Sequence, residues 1–196
     1  MNEISANVSP AINLMTKLSE FNPKIRIVYL SSGGQIYGDE HRSLISEDAV
    51  LKPMSPYGFG KITIETGLKY LFDNFGVSVS ILRVGNPIGY WQRSTRQGIV
   101  NVTIESLLRK RPVTIYGTGE ELRDYLAAGD VAGAIISSSK MNGFGVWNIG
   151  SGIGTKTIDI VNAVAQALDK PLDLKFEPRR RVDPKTVVLD LSLIHI

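Results

Sequence analysis

Short apolar runs rich in β-branched residues alternate with amphipathic helices in the first part of the chain. The runs Ile25–Leu30 and Val77–Val84 are typical of buried parallel strands. Between these two runs, Ser55 and Pro56 predict the N-cap and the first turn of a helix. A helix before the first run is indicated by apolar residues three or four apart: Ile4, Val8, Ile12, Met15 and Leu18. The order helix, strand, helix, strand predicts an α/β fold with a parallel sheet.

The elements become shorter after about position 90. We predict helices over Ile99–Leu108, from a cap at Asp130 to Ser138, and from a cap at Thr157 to about Leu168. The predicted strands are Val113–Tyr116, Val146–Ile149, Leu172–Phe176 and Thr186–Leu189. We therefore divide the chain into residues 1–90, which form the main sheet, and residues 91–196, which form mainly a smaller lobe with some segments returning to the sheet.

Composition excludes several kinds of site. The chain has no cysteine, which rules out disulfides and thiolate metal sites and makes a reducing cytoplasm the expected compartment. His41 and His195 are far apart and not in ligand spacing, so no metal is predicted. Apolar stretches such as Val131–Ile136 are far shorter than the ~20 residues that a membrane span needs, and the N-terminus does not resemble a secretory signal.

The charge is mildly basic, with a formal net charge of +3 and a sequence pI of about 9.1. Much of it lies in two clusters, Arg109–Arg111 and Arg179–Arg181. Such clusters are typical of a solvated face, and no interleaving of aromatic and basic residues indicates nucleic-acid binding. A few arginines directed at a small anionic ligand fit the pattern equally well.

Tyr57 and Lys61 are the strongest local indication of chemistry. On a helix, positions four apart share one face, so the phenol and the ammonium would lie side by side. A nearby cation lowers the pKa of a tyrosine from ~10 towards the operating pH. Tyr57 would then act as a general base towards a substrate hydroxyl.

Ser31 and Ser32 end the first predicted strand, immediately before Gly33 and Gly34. Ligands of open α/β sheets bind at the carboxyl ends of the strands, where a serine hydroxyl could assist Tyr57. A glycine-rich turn whose serines bond to the backbone explains the same residues without a function. Position alone leaves both interpretations open.

Taken in order, the motifs resemble the extended short-chain dehydrogenase/reductases of the NAD-dependent epimerase/dehydratase family, in particular the UDP-glucose 4-epimerase-like proteins. The matching series runs through almost the whole chain. It consists of Ser31-Ser32-Gly33-Gly34, Tyr37-Gly38, Ser55-Pro56-Tyr57 with Lys61 and Glu65, Leu82-Arg83 with Asn86 and Gly89, Tyr116-Gly117-Thr118-Gly119, Arg123-Asp124-Tyr125, Asp130-Val131, Asn148–Gly152, and Arg180 with Asp183.

The resemblance implies a partial Rossmann-like parallel sheet with a small C-terminal substrate-binding lobe, and NAD as cofactor. It implies a nucleotide-sugar 4-epimerase in which hydride passes between sugar C4 and NAD. The catalytic residues would be Tyr57, Lys61 and Ser32, and the cofactor would contact Lys61, Tyr57, Ser31 and Pro87. The nucleotide sugar would contact Asn86, Arg123 and Arg180, since guanidinium groups suit phosphate. A homodimer through a helix pair that includes the Tyr57–Lys61 helix is also expected.

Three residues depart from the family pattern in the loop after the first strand. Gly33 stands where many relatives have the catalytic Ser or Thr, so we assign the hydroxyl role to the adjacent Ser32. Gly34 and Gln35 stand where the 4,6-dehydratases have an Asp-Glu pair, which favours epimerisation over elimination. A reductase or decarboxylase of the same family, with the same Tyr-Lys pair, remains an alternative.

The family's first strand and its Gly-x-x-Gly-x-x-Gly turn, which cradles the pyrophosphate, have no counterpart in this sequence. The run Gly150–Gly154 does not replace it, because Thr155 occupies the sixth position of a Gly-x-Gly-x-x-Gly motif. We expect a chain truncated at the N-terminus, with an exposed apolar edge at Ile25–Leu30, and with non-native residues at 191–196. A non-catalytic fragment that lacks the NAD-binding loop is therefore a second alternative.

Overall fold

The computed structural model describes residues 3–22, 24–39, 44–92 and 97–193 of the chain. A short π-helical segment, Ile4–Val8, continues into the first α-helix. The five α-helices are α1 (Ser9–Phe21), α2 (Pro56–Phe75), α3 (Ile99–Leu108), α4 (Ala128–Ser138) and α5 (Thr157–Ala167). None of the described helices has the length and apolar character needed to cross a bilayer.

The described strands form three separate sheets. They are β1 (Arg26–Ser32), β2 (Ser78–Val84), β3 (Asn86–Ile88), β4 (Val113–Tyr116), β5 (Leu122–Ala127), β6 (Phe144–Ile149), β7 (Gly154–Lys156), β8 (Leu174–Glu177) and β9 (Thr186–Val187). The main sheet has the order β1-β2-β6, β5 pairs with β3, β7 and β9, and β4 pairs with β8. The predicted α/β fold with a parallel sheet is confirmed.

The main sheet is parallel throughout, and among the described strands β1 and β6 form its two edges. Leu30 of β1 lies opposite Leu82 of β2, which lies opposite Trp147 of β6. Among the described strands, β1 pairs with β2 alone, and Leu30 is 40% exposed. The run Ile25–Leu30, whose composition indicates a buried strand, is therefore only partly buried, and the exposed apolar edge expected there is present.

Helices α1 and α2 pack against β1 and β2 and form the largest apolar core. Its fully buried centre includes Leu68 of α2 and Val79 and Ile81 of β2. A second cluster joins β2 and β6 to α4, and a third joins β4 to α3 and α5. The strand ends that carry the polar residues are therefore held in place by tightly packed apolar side chains.

Asp124 of β5 is fully buried and holds together several segments around β5. Its carboxylate accepts hydrogen bonds from the backbone N–H groups of Ser151 (2.6 Å), Gly152 (3.1 Å) and Leu189 (3.1 Å). The Ser151 hydroxyl donates a fourth bond at 2.7 Å. Backbone donors can satisfy a buried carboxylate without a cation, so Asp124 fixes the position of its neighbours Arg123 and Tyr125.

Local sequence signals predicted several element boundaries correctly and others wrongly. The start of α2 at Pro56 and the bounds of α3 and β4 agree with the predictions. The predicted caps Asp130 and Thr157 are wrong: Ala127 and Lys156 precede α4 and α5, and neither side chain caps. Thr157 Oγ1 donates instead to the Glu121 carbonyl at 3.1 Å. Strands β3, β5 and β7 escaped prediction because their partners are distant in sequence.

Candidate active site

Helix α2 begins beside the end of β1, and its first turn determines where Tyr57 lies. The Ser55 hydroxyl caps the helix by accepting a hydrogen bond from the Gly58 N–H at 3.1 Å. Pro56 occupies the first helical position, where no N–H is needed. Tyr57 and Lys61 are therefore one turn apart on the helix face that meets the carboxyl end of β1.

Tyr57, Ser32 and Lys61 form one cluster at this point. A side-chain hydrogen bond joins Ser32 and Tyr57. The Lys61 ammonium donates to the Leu30 carbonyl at 2.8 Å. It lies 5.4 Å from the centre of the Tyr57 ring and 4.8 Å from the centre of the Tyr29 ring. The predicted catalytic residues are thus neighbours. Tyr29, to which no sequence pattern pointed, lies beside Lys61 in the same cluster.

The pKa of Tyr57 moves in the direction opposite to the sequence-based expectation. Burial raises the pKa of the Tyr57 phenol, the hydrogen bond from Ser32 lowers it, and Glu3 raises it further. Burial also lowers the pKa of the Lys61 ammonium. The Lys61 charge, 5.4 Å from the centre of the Tyr57 ring, does not offset the effect of burial on the pKa of the phenol. The expectation of a lowered tyrosine pKa is wrong for the chain by itself.

Gly33, which stands where many relatives have a catalytic hydroxyl, has no room for a side chain. A Cβ at this position would lie 2.7 Å from Leu189 Cδ1 and 3.0 Å from the Arg83 carbonyl oxygen. Both distances are shorter than ordinary van der Waals contact, so the surrounding structure would have to shift. Ser32 is the residue of this loop whose hydroxyl reaches Tyr57.

Ser31 points away from Tyr57, into a buried polar network. Its hydroxyl donates to Glu65 Oε1, and Glu65 forms a salt bridge with Arg83 at 2.7 Å. Arg83 donates to the Tyr37 hydroxyl at 3.1 Å, and Tyr37 donates to Asn148 Oδ1 at 2.7 Å. This network connects β1, α2, β2 and β6 beneath the cluster. The Ser31 hydroxyl, proposed from the resemblance as a cofactor contact, is thus used inside the protein.

Tyr57 also borders a cavity of about 570 Å³ whose wall includes residues of β3, β4, β5 and α3. Tyr57 itself is 45% exposed. The predicted site residues that line the cavity are Tyr57, Asn86, Pro87, Arg123 and Arg180. Lys61, Ser31 and Ser32 are not part of its wall. A single space therefore connects the tyrosine to the residues predicted to bind the nucleotide sugar.

The two predicted arginines differ in how their guanidinium groups are used. Arg123 donates to the backbone carbonyls of Leu122 (2.8 Å), Lys185 (3.2 Å) and Pro184 (2.6 Å). Burial lowers the pKa of Arg123, since desolvation disfavours the charged form. Much of the Arg123 donor set therefore holds the chain around Pro184, and only the remainder is available to a ligand.

Arg180 is more accessible and is oriented by two neighbours that line the same cavity. Its Nε and one terminal nitrogen donate to the two oxygens of Asp183 at 2.6 and 3.1 Å. Its guanidinium carbon lies 4.8 Å from the centre of the Tyr116 ring. The sequence motif contained Tyr116 and Asp183 without assigning them a role. Together the three residues present an oriented cation and an aromatic face to the cavity.

Among the described residues, no group of three or more His, Asp or Glu side chains is arranged to hold a metal ion. The two histidines considered from the sequence, His41 and His195, lie outside the described residues.

The close approach of the Gln35 loop to the first turn of α2 gives a test of this geometry. A Cβ at Gly58 would clash with the Gln35 carbonyl oxygen, whereas one at Gly133 of α4 would enter open space. We expect Gly58→Ala to destabilise the protein by about 1–3 kcal/mol through backbone displacement. Gly133→Ala should stabilise it by about 0.5–1 kcal/mol, as in an unobstructed helix. Urea unfolding checks both, and equal effects would contradict the close approach.

Comparison with known proteins shows to which family the chain belongs. The profile of the NAD dependent epimerase/dehydratase family matches residues 2–150. The chain belongs to this family. The predicted resemblance is therefore confirmed, and the matched residues include the Tyr57 cluster, Asn86 and Arg123.

Individual relatives have related but different chemistry. A UDP-glucose 4-epimerase of Mycolicibacterium smegmatis is 32% identical over 167 residues, which are 84% of this chain and 53% of that protein. A dTDP-4-dehydro-6-deoxyglucose reductase of Escherichia coli is 30% identical over 170 residues, 85% of this chain and 53% of that protein. The crystal structure of Thermus thermophilus UDP-glucose 4-epimerase in complex with NAD has a TM-score of 0.89 at 29% identity, over 95% of this chain and 62% of that one. The chain thus spans between 53% and 62% of the length of these family members.

Proposed function

We propose that the protein containing this chain is an NAD-dependent nucleotide-sugar 4-epimerase, an isomerase that acts on a UDP-sugar. The observation that carries the proposal is the hydrogen-bonded pair Ser32–Tyr57, placed beside Lys61 at the rim of the cavity that also contains Arg180. The family includes 4-epimerases of the same fold, one of them crystallised with UDP-glucose at a TM-score of 0.87 and 27% identity.

In this proposal Tyr57 exchanges a proton with the 4-hydroxyl of the sugar. The exposed part of its phenol faces the cavity, and the Ser32 hydroxyl stabilises the phenolate by a hydrogen bond. Lys61 supplies a positive charge on the same helix face and is kept in place by the Leu30 carbonyl. The proton therefore moves between a partly desolvated tyrosine and the substrate, with a hydroxyl and an ammonium close by.

The nucleotide half of the substrate would occupy the part of the cavity that Arg180, Asp183 and Tyr116 line. There Arg180 presents its guanidinium to the anionic diphosphate, while Asp183 and Tyr116 hold it in orientation. Asn86 would contact the substrate near the diphosphate, and Arg123 would contribute the donors that backbone carbonyls do not use.

The residues at the cavity rim fit the nicotinamide end of NAD. Lys61 retains N–H donors besides the one given to Leu30, and Tyr57 and Pro87 leave exposed surface for the ring. When bound, NAD⁺ supplies the hydride acceptor for sugar C4 and a positively charged ring. The chain's own contribution would be to hold the ribose through Lys61 and Tyr57 and to keep the phenol in position.

A reductase of the same family is the second candidate, favoured by the 30% identity to the E. coli dTDP-4-dehydro-6-deoxyglucose reductase. A 4,6-dehydratase fits less well, because Gly34 and Gln35 provide no acid–base pair for elimination. Net consumption of a reduced nicotinamide cofactor identifies the reductase, since an epimerase returns the hydride to the sugar. A third possibility, a non-catalytic fragment, depends on what the gene encodes before Met1.

The gene is therefore read first, in frame and upstream of the Met1 codon. A strand followed by Gly-x-x-Gly-x-x-Gly is the expected finding, and the complete protein is then assayed with UDP-glucose and UDP-galactose. The proposal expects their interconversion without net NADH formation. A stop codon directly upstream, or a complete protein that binds UDP-sugars without interconverting them, would overturn it.

We extend the proposal to assembly and location. The outer faces of α1 and α2 expose Leu14 and Phe59, which suit a homodimer formed through this helix pair. Sedimentation equilibrium of the complete protein tests that expectation. The absence of cysteine fits a reducing compartment, so we place the protein in the cytoplasm.

A further inference from the structure

Gln35 lies in the loop after β1 and contributes to the same cavity wall as Tyr57. The preceding residues of this loop offer the cavity few polar groups. Ser31 bonds to Glu65, Ser32 bonds to Tyr57, and Gly33 and Gly34 have no side chains. Within the segment 31–35, Gln35 is therefore the residue whose polar side chain lines the cavity. The two serine hydroxyls bond to other side chains of the protein instead.

Two contacts with the start of α2 hold Gln35 in place. Its backbone carbonyl lies so close to Gly58 that a Cβ there would clash. Its side-chain Oε1 accepts a hydrogen bond from the Ser55 hydroxyl at 2.9 Å. Since Gly58 and Ser55 flank Tyr57, the position of Gln35 relative to the catalytic tyrosine is determined by both its backbone and its side chain.

These contacts also determine which end of the amide is available to a ligand. Ser55 Oγ already accepts from the Gly58 N–H at 3.1 Å, so its own proton needs an acceptor. That acceptor is Gln35 Oε1, which leaves the NH₂ group as the end that is available to the cavity. We find no acceptor for this group within the described ranges of the chain. An amide N–H can donate to a sugar oxygen, but it cannot serve as an acid or base at neutral pH.

We propose that Gln35 is a specificity-determining residue whose amide NH₂ donates a hydrogen bond to an oxygen of the substrate's sugar ring. The inference rests on the proposed nucleotide-sugar function and adds a recognition contact for the sugar half of the substrate. Gln35 is held beside Tyr57 through Ser55 and Gly58, and the nucleotide half is assigned to Arg180. Its contribution should therefore appear in the binding of a sugar nucleotide and not in the binding of the nucleotide alone.

The experiment is calorimetric titration of the protein with UDP and with UDP-glucose, using the native sequence and Gln35→Met. Methionine has a similar length and no amide, so the variant removes the donor while filling the same space. Native protein is expected to bind UDP-glucose more tightly than UDP. Gln35→Met should weaken UDP-glucose binding by about fivefold, as for one neutral hydrogen bond, and leave UDP binding unchanged. The matched control is Gln166→Met, an exposed residue of α5 for which both affinities should stay at the native level.

The outcomes separate this inference from the proposed function. UDP-glucose affinity that is equal in native protein and Gln35→Met overturns the role of Gln35 while leaving the nucleotide-sugar function intact. Native protein that binds neither UDP nor UDP-glucose overturns the proposed function, and this inference with it. If Gln35→Met loses UDP affinity as well, the residue acts through the structure of the loop, and the specific contact with the sugar is rejected.

Discussion

Replacing Tyr57 by phenylalanine is expected to lower the turnover of the complete enzyme by roughly 10²–10⁴-fold, the usual contribution of a general acid–base. The substitution removes the phenol oxygen that bonds to Ser32 and keeps the ring beside Lys61. Binding of the nucleotide sugar should change little, because the diphosphate is assigned to other residues of the cavity wall, Arg180 and Arg123. Steady-state kinetics together with titration of UDP-glucose measure the two quantities separately.

Tyr70→Phe is the matched control for this prediction. Tyr70 lies on the same helix, is 57% exposed and contacts Phe75, so loss of its hydroxyl should leave turnover and binding at native values. A Tyr57→Phe enzyme that binds substrate poorly but turns over each bound molecule at the normal rate would show that Tyr57 is a binding residue. The role of general acid–base would then be withdrawn.

Replacing Arg83 by methionine is expected to reduce the free energy of unfolding by about 3–5 kcal/mol. Arg83 and Glu65 form a salt bridge at 2.7 Å whose side chains are each 7% exposed. Removal of the cation leaves the Glu65 carboxylate buried with the Ser31 hydroxyl as its remaining described side-chain partner. It also removes the hydrogen bond that Arg83 donates to Tyr37, and burial already raises the pKa of that tyrosine to about 12.

Helix α2, which carries Glu65, also carries an ion pair at the surface that serves as a comparison for the buried one. Lys69 and Asp73 form an ion pair whose side chains are 49% and 46% exposed, so Asp73→Ala should cost less than about 1 kcal/mol. Urea unfolding of both variants, followed by circular dichroism, measures the difference. If Arg83→Met and Asp73→Ala destabilise the protein equally, the buried network does not hold α2 to the sheet in the way we describe.

Much of the fold could be predicted because its signals are local. Ser55 and Pro56 mark the start of α2 through a hydroxyl cap and a residue without an N–H, and neither depends on distant partners. The bounds of α3 follow from apolar spacing in the same way. Strand β5 escaped prediction because its partners, β3, β7 and β9, come from three separate parts of the chain. Its central residue, Asp124, is a charged side chain that tertiary contacts bury.

The sequence by itself determined that a tyrosine and a lysine share one face of a helix that follows a serine-rich strand end. It could not determine which serine meets the tyrosine. Successive side chains of a strand point to opposite faces, so Ser31 and Ser32 had to have different surroundings. Only the packing of α2 against β1 decided that Ser31 turns towards Glu65 and Ser32 towards Tyr57. The pKa of Tyr57 was likewise decided by the tertiary structure, because burial depends on every element around the phenol and outweighs the lowering effect of the Ser32 hydrogen bond.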